Sequence, residues 1–125
     1  MRSGMTTALA LAALLTACTD DLLSGPGNLG GDFDIGAGSG TQPAYSWSAG
    51  PAFTVVVVRT ADPTVVVWRI ADPDNSDIRS PVTHGVVPGG ALETAVRERT
   101  LTRGVNYRVT ITLADGRSGY REFTP

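Results

Sequence analysis

Strict alternation over residues 107–113 constrains the fold more than any other stretch of the chain. Tyr107, Val109, Ile111 and Leu113 fall on one side of an extended backbone, and Arg108, Thr110 and Thr112 on the other. A period of two belongs to a half-buried β-strand, because successive strand side chains point to opposite faces of the sheet. Such a strand has one dry face and needs a second layer to cover it. Two further runs, 53–59 and 64–70, are dense in valine and carry Phe53 and Trp68. β-Branched and aromatic side chains lose rotamer freedom on a helix and favour a pleated strand. The expected core faces are Phe53, Val55 and Val57 in the first run and Val66, Trp68 and Ile70 in the second. Val56, Val58, Val65 and Val67 then point away, either beneath another element or as an exposed apolar patch of the kind that marks a partner site.

The rest of the chain from residue 45 adds short strands and turns. Residues 45–49 form a short first strand with Tyr45 and Trp47 on one face, ended by Gly50-Pro51. Residues 60–63 make a turn, Pro81 sets an irregular strand within 78–87 at a sheet edge, and 93–101, with its alternating Arg97, Glu98 and Arg99, reads as a solvated edge strand. Asp115-Gly116 signals a hairpin, and the last strand, 120–124, turns Phe123 inward and Tyr120 to the opposite face. About seven strands without a helical pattern imply an all-β fold, a single antiparallel β-sandwich.

Leu101, Gly104 and Tyr107 follow one another at intervals of three. This spacing resembles the E–F corner of fibronectin type III domains, where Leu-x-Pro-Gly-x-x-Tyr-x-Val opens the penultimate strand. Arg103 stands where that family has proline. The resemblance implies that the Tyr107 hydroxyl bonds a backbone group a few residues upstream and pins the crossing between sheets. One departure accompanies it: fibronectin type III domains carry their core tryptophan on the second strand, whereas Trp68 falls on the third strand in this order, as in immunoglobulin domains. Either the frame is shifted by one strand or the core differs.

The single cysteine is Cys18. Arg2 precedes an apolar run from Met5 to Leu15, too short for a stable membrane anchor and of secretory-signal form. Leu15-Thr16-Ala17-Cys18 resembles the lipobox of bacterial lipoproteins, in which the cysteine is diacylglycerated and the signal is cut before it. An ordinary signal peptide cleaved nearby, or a buried helix of a cytoplasmic protein, are the alternatives. The resemblance implies a signal peptide over 1–17, a membrane partner reached through lipid on Cys18, and a domain outside the cytoplasm, at the outer membrane or elsewhere in the cell envelope. Thr19 in place of aspartate lacks the inner-membrane retention signal of enterobacterial sorting. Residues 18–44 hold seven glycines and four aspartates with no basic residue, and read as a flexible linker before a domain at 45–125.

Chemistry is sparse. All ten basic residues are arginine, scattered, in a chain of net charge −2, which speaks against nucleic acid as a partner. Nucleophilic catalysis needs a nucleophile beside a base; Ser80, Asp77 and His84, the only histidine, share one short stretch without triad geometry. Asp72, Asp74 and Ser76 imitate a calcium loop, but Asp77 and Thr83 stand where glycine and glutamate are required. The aspartates at 32 and 34 lack the later carboxylates such a loop uses. One histidine and one lipidated cysteine make no zinc set. No catalytic residue, cofactor or metal site is expected, and the chain reads as a non-catalytic interaction or structural module of the envelope. The alternative is a ligand-binding lipoprotein that stacks a glycan on Trp47, Tyr45 and Tyr120, which requires those rings to be exposed.

Overall fold

The structure, a computed structural model, describes residues 29–125. The signal segment 1–17, Cys18 and the stretch 18–28 lie outside the described residues. Nine strands follow in order: β1 (Leu29–Gly31), β2 (Gly36–Ala37), β3 (Ala44–Ser46), β4 (Ala52–Arg59), β5 (Asp62–Ala71), β6 (Val82–Thr83), β7 (Leu92–Val96), β8 (Tyr107–Leu113) and β9 (Ser118–Phe123). They build one sheet of six strands, β1-β9-β8-β4-β5-β7, and one of three, β2-β3-β6. Every pairing is antiparallel. The fold is all-β, with no helix among the described residues.

β8 is the central strand its alternation foretells: Tyr107, Val109, Ile111 and Leu113 are buried, and the three residues between them are half-exposed. Its neighbour β4 adds Val55 and Val57, β5 adds Trp68 and Ile70, and the small sheet covers them with Tyr45 and Val82 in one apolar cluster. The β8–β9 hairpin closes at 114–117, where Asp115 accepts the Arg117 backbone N–H at 3.0 Å. Phe123 turns inward against Tyr45 and Tyr107, with ring centroids 5.7 and 5.9 Å away. Tyr120, opposite Thr110, takes the outer face.

Three expectations need correction. Phe53 is not a core residue; it is 36 % exposed, and Ala52 is buried in its place. A β-bulge is the reason: Ala52 faces Leu113 and Thr54 faces Thr112, so Phe53 is an extra residue that shifts the inside–outside phase of β4. A second bulge on β5 sets Val57 opposite Trp68 and Val58 opposite Val66, which sends Val67 into the core beside Trp68 and leaves Val66 half-exposed. Val56, Val58 and Val65 are likewise half-exposed, so Val66 takes the place of Val67 among the valines left partly open.

The third correction is the domain boundary. Residues 29–44 are folded: β1 adds to the edge of β9, β2 opens the small sheet, and Ile35 between them is 1 % exposed. The glycines of this crossing are sites of close approach. A Cβ on Gly30 would lie 2.5 Å from the Tyr120 ring, and one on Gly119 would lie 2.5 Å from the Phe33 carbonyl oxygen. Composition suited to a linker here serves contact.

Candidate functional site

A network of polar groups gathers at the β7–β8 connection, which leaves the six-stranded sheet, bonds Thr41 and His84 beside the small sheet, and returns to the same six-stranded sheet. Leu101 is buried, and Gly104 adopts a φ of +81°, a left-handed conformation that glycine takes without strain. Tyr107 is fully buried, and its hydroxyl accepts the Thr102 N–H at 2.9 Å and donates to Glu98 Oε1 at 2.7 Å. The expected upstream backbone bond is therefore present, and the Glu98 contact is one the sequence does not announce.

Glu98 is the hub. Its Oε2 accepts Arg59 Nε at 2.8 Å and Nη2 at 2.7 Å, and its Oε1 also accepts the Thr102 hydroxyl at 3.2 Å. Its N–H donates to the Val67 carbonyl at 3.0 Å, and its own carbonyl lies 2.7 Å from His84 Nε2. Partial burial pushes the Glu98 carboxyl upward, but bonds from Tyr107 and Arg59 outweigh it and hold the group below its usual range. The same carboxylate holds the Arg59 guanidinium above its ordinary value, chiefly through their hydrogen bond.

His84 is fully buried. A carbonyl only accepts, so Nε2 carries the proton and donates to Glu98; Nδ1, 2.8 Å from the Tyr45 oxygen, accepts from that hydroxyl. Burial lowers the imidazole pKa and raises that of Tyr45, which keeps both groups neutral. The Trp68 ring packs 4.8 Å from the imidazole, and its Nε1 donates to Glu93 Oε2 at 2.7 Å. Arg99 closes the far side of Glu93 with two bonds of 3.0 Å. With both nitrogens committed inside the core, His84 has no free edge to offer a substrate.

Other candidate residues are separated. Ser80 Oγ accepts the Trp47 N–H at 3.0 Å, and Asp77 pairs with Arg79 at 2.8 Å, so neither faces His84. The Asp72 carboxylate accepts the N–H groups of Asn75 and Asp77 at 3.1 and 3.3 Å and so closes its own loop. Among the described residues no three His, Cys, Asp or Glu side chains are placed to hold a metal.

The glycan platform is also corrected. Tyr45 is 0 % and Trp47 7 % exposed, and Trp47 Nε1 donates to Gly50 O at 2.6 Å. The tyrosine is sealed in the core with His84 and Phe123, so a sugar cannot stack on it. Tyr120 is half-exposed on the outer face, with the Arg108 guanidinium 4.4 Å above its ring. The surface hollows include one of about 220 Å³ beside the Trp47 edge with Ser48, Pro51 and Arg79, and one of about 350 Å³ between Arg59, Asp62, Val65, Val67, Arg97 and Glu98.

Sequence reasoning found the Leu101, Gly104 and Tyr107 corner but missed the Tyr45, His84 and Glu98 chain. These residues are 39 and 14 positions apart in their bonded pairs, and no local pattern joins them. Comparison with protein-family models, curated proteins and solved structures finds no match to this chain.

Proposed function

We propose that this chain is a non-catalytic, lipid-anchored protein of the cell envelope whose domain works as an interaction or structural module. The observation that carries the reading is the position of the only cysteine: Cys18 closes Leu15-Thr16-Ala17-Cys18 directly after the apolar run. The two acyl chains of a diacylglyceryl group thioether-linked to that sulfur tether a protein firmly, since each buried CH₂ contributes about 0.8 kcal/mol. The domain is an immunoglobulin-type β-sandwich with a fibronectin type III corner. In support, β9-β8-β4-β5 matches the order G-F-C-C′ of such sandwiches, and β3 with β6 takes the places of B and E, while β7 is an added edge strand between β6 and β8 in the chain. That lettering moves the frame by one strand and sets Trp47 at the end of strand B, where fibronectin type III domains carry their core tryptophan. The sealed histidine favours work done by surface over work done by reaction. Growth with labelled palmitate tests the anchor: label and membrane fractionation are expected for the natural chain and lost in Cys18→Ser. Equal labelling of both chains, or a mature protein free in the cytosol, overturns it.

A further inference from the structure

The end of the domain at which its N-terminal segment enters differs in charge from the opposite end. The 60–61 turn, the corner loop and the C-terminal residues meet there: Thr60 N–H donates to Asn106 O at 3.0 Å, Gly104 N–H to Pro125 O at 3.2 Å, and the Thr124 hydroxyl to Asn106 Oδ1 at 3.2 Å. Leu29 pairs with Arg121 and β1 runs away from this end toward Gly119, so the chain before Leu29 arrives at it. From Cys18 to Leu29 the fully extended backbone reaches at most about 40 Å, which keeps this end within that distance of an acylated cysteine's bilayer.

Two of the three side-chain carboxylates at this end are paired with arginine, and the third, Asp62, keeps its charge, so with Arg97 and Arg103 the side chains of this end carry a net charge of about +1. Glu98 holds Arg59, Glu122 holds Arg108, and Asp62 accepts the Thr64 hydroxyl. Arg97 and Arg103 are exposed and form no salt bridge among the described residues. Arg97 rims the hollow of about 350 Å³ above Val65 and Val67, which Asp62 and the paired Arg59 and Glu98 also line, so a phosphate meets Arg97 at the rim and not inside the hollow. The opposite end carries Asp72, Asp74, Asp77 and Asp115 against Arg79 and Arg117. An anionic bilayer attracts the first end and repels the second.

We propose that the entry end is a docking surface for anionic phospholipid headgroups, with Arg97 and Arg103 meeting headgroup phosphates and the acidic loops turned to the aqueous side. This rests on the lipid anchor at Cys18. The test uses the acylated full chain in phosphatidylcholine vesicles with and without about a quarter phosphatidylglycerol, an anionic surface of the strength found in cells. Cys18 sulfur is a thioether in that chain, so a nitroxide attaches only to a thiol introduced by Ala61→Cys at the entry end or Ala114→Cys at the other. In the anionic vesicles the label at 61 is expected to lose access to an aqueous paramagnetic complex while the label at 114 keeps it. Removing each arginine, in Arg97→Ser and Arg103→Ser, is expected to weaken that bias about fivefold, and added salt to weaken it further. Equal access at 61 and 114, shielding at 114, or shielding indifferent to the arginines overturns the docking surface in a chain whose mass shows the acyl group. A chain whose mass shows no acyl group on Cys18 overturns the anchor itself, and the docking surface with it.

Discussion

Tyr107 owes its place to two bonds that a phenylalanine cannot make. Tyr107→Phe keeps the ring packed on Phe123 but leaves the Thr102 N–H and one Glu98 lone pair without their partner. A buried polar group orphaned in this way costs about 1–3 kcal/mol. The urea midpoint of the variant is expected to fall with an unchanged slope, and an unchanged midpoint would show that the corner hydroxyl holds nothing. His84 gives a pH signature. Its pKa is lowered from 6.5, chiefly by desolvation, with the Glu98 carbonyl and the charges of Glu98 and Glu93 opposing. The unfolded chain takes up a proton near pH 6.5, and the folded chain only at lower pH. The stabilisation is therefore complete above the unfolded value and is lost as pH falls through the folded one. Unfolding midpoints measured downward from neutral pH should decline in the natural chain and stay flatter in His84→Gln, whose amide can still donate to Glu98 and accept from Tyr45. Below 4.5, the ordinary carboxylate value, both chains should lose more, because Glu93 and Glu98 are held ionised, the first mainly by the Trp68 indole.

Among the elements, β1 and β2 are the pair whose presence depends on the smallest residues. The crossing between them passes over Gly119 so closely that an added methyl meets the Phe33 carbonyl, and overpacking of this kind costs about 1–3 kcal/mol. Gly119→Ala should loosen the strap locally, read as faster amide hydrogen exchange at Asp32, whose N–H donates to Ser118 O at 2.6 Å, while exchange in β8 stays slow. Equal acceleration in both would mean that the strap and the core open together. The same elements show what a sequence can reveal. β8 was legible because its alternation is unbroken over the whole strand, and the corner because its three residues are local. β4 and β5 were legible as strands, but their faces were not, since each bulge is imposed by the neighbouring strand and leaves Phe53 and Val67 on the side opposite to their apparent phase. The strap was illegible because close approach and flexibility both select glycine. Neither the Tyr45–His84 bond nor the Arg59–Glu98 pair could be read ahead, since each spans 39 positions.

For the whole molecule, the position of the N-terminal boundary decides whether the domain is closed. A chain begun at Tyr45 keeps β4 to β9 and all of β3 but Ala44, yet loses Ile35 from the core and the packing of Phe33 and Ala37 upon it. It also uncovers the edge of β9 and cuts the small sheet from three strands to two. A bare edge is a template for pairing with other chains, and loss of one buried isoleucine side chain alone costs about 2–5 kcal/mol. Global stabilities of small domains are about 5–15 kcal/mol, so the loss is a large fraction of the whole. A fragment of residues 29–125 should therefore melt in one cooperative transition as a monomer, whereas 45–125 should melt at markedly lower temperature or elute as aggregates. Circular dichroism on heating and size-exclusion chromatography read both outcomes. Equal melting of the two fragments would show that β1 and β2 lie on the domain without belonging to it, and would return residues 29–44 to the tether, lengthening the reach between bilayer and domain by about 50 Å of extended chain.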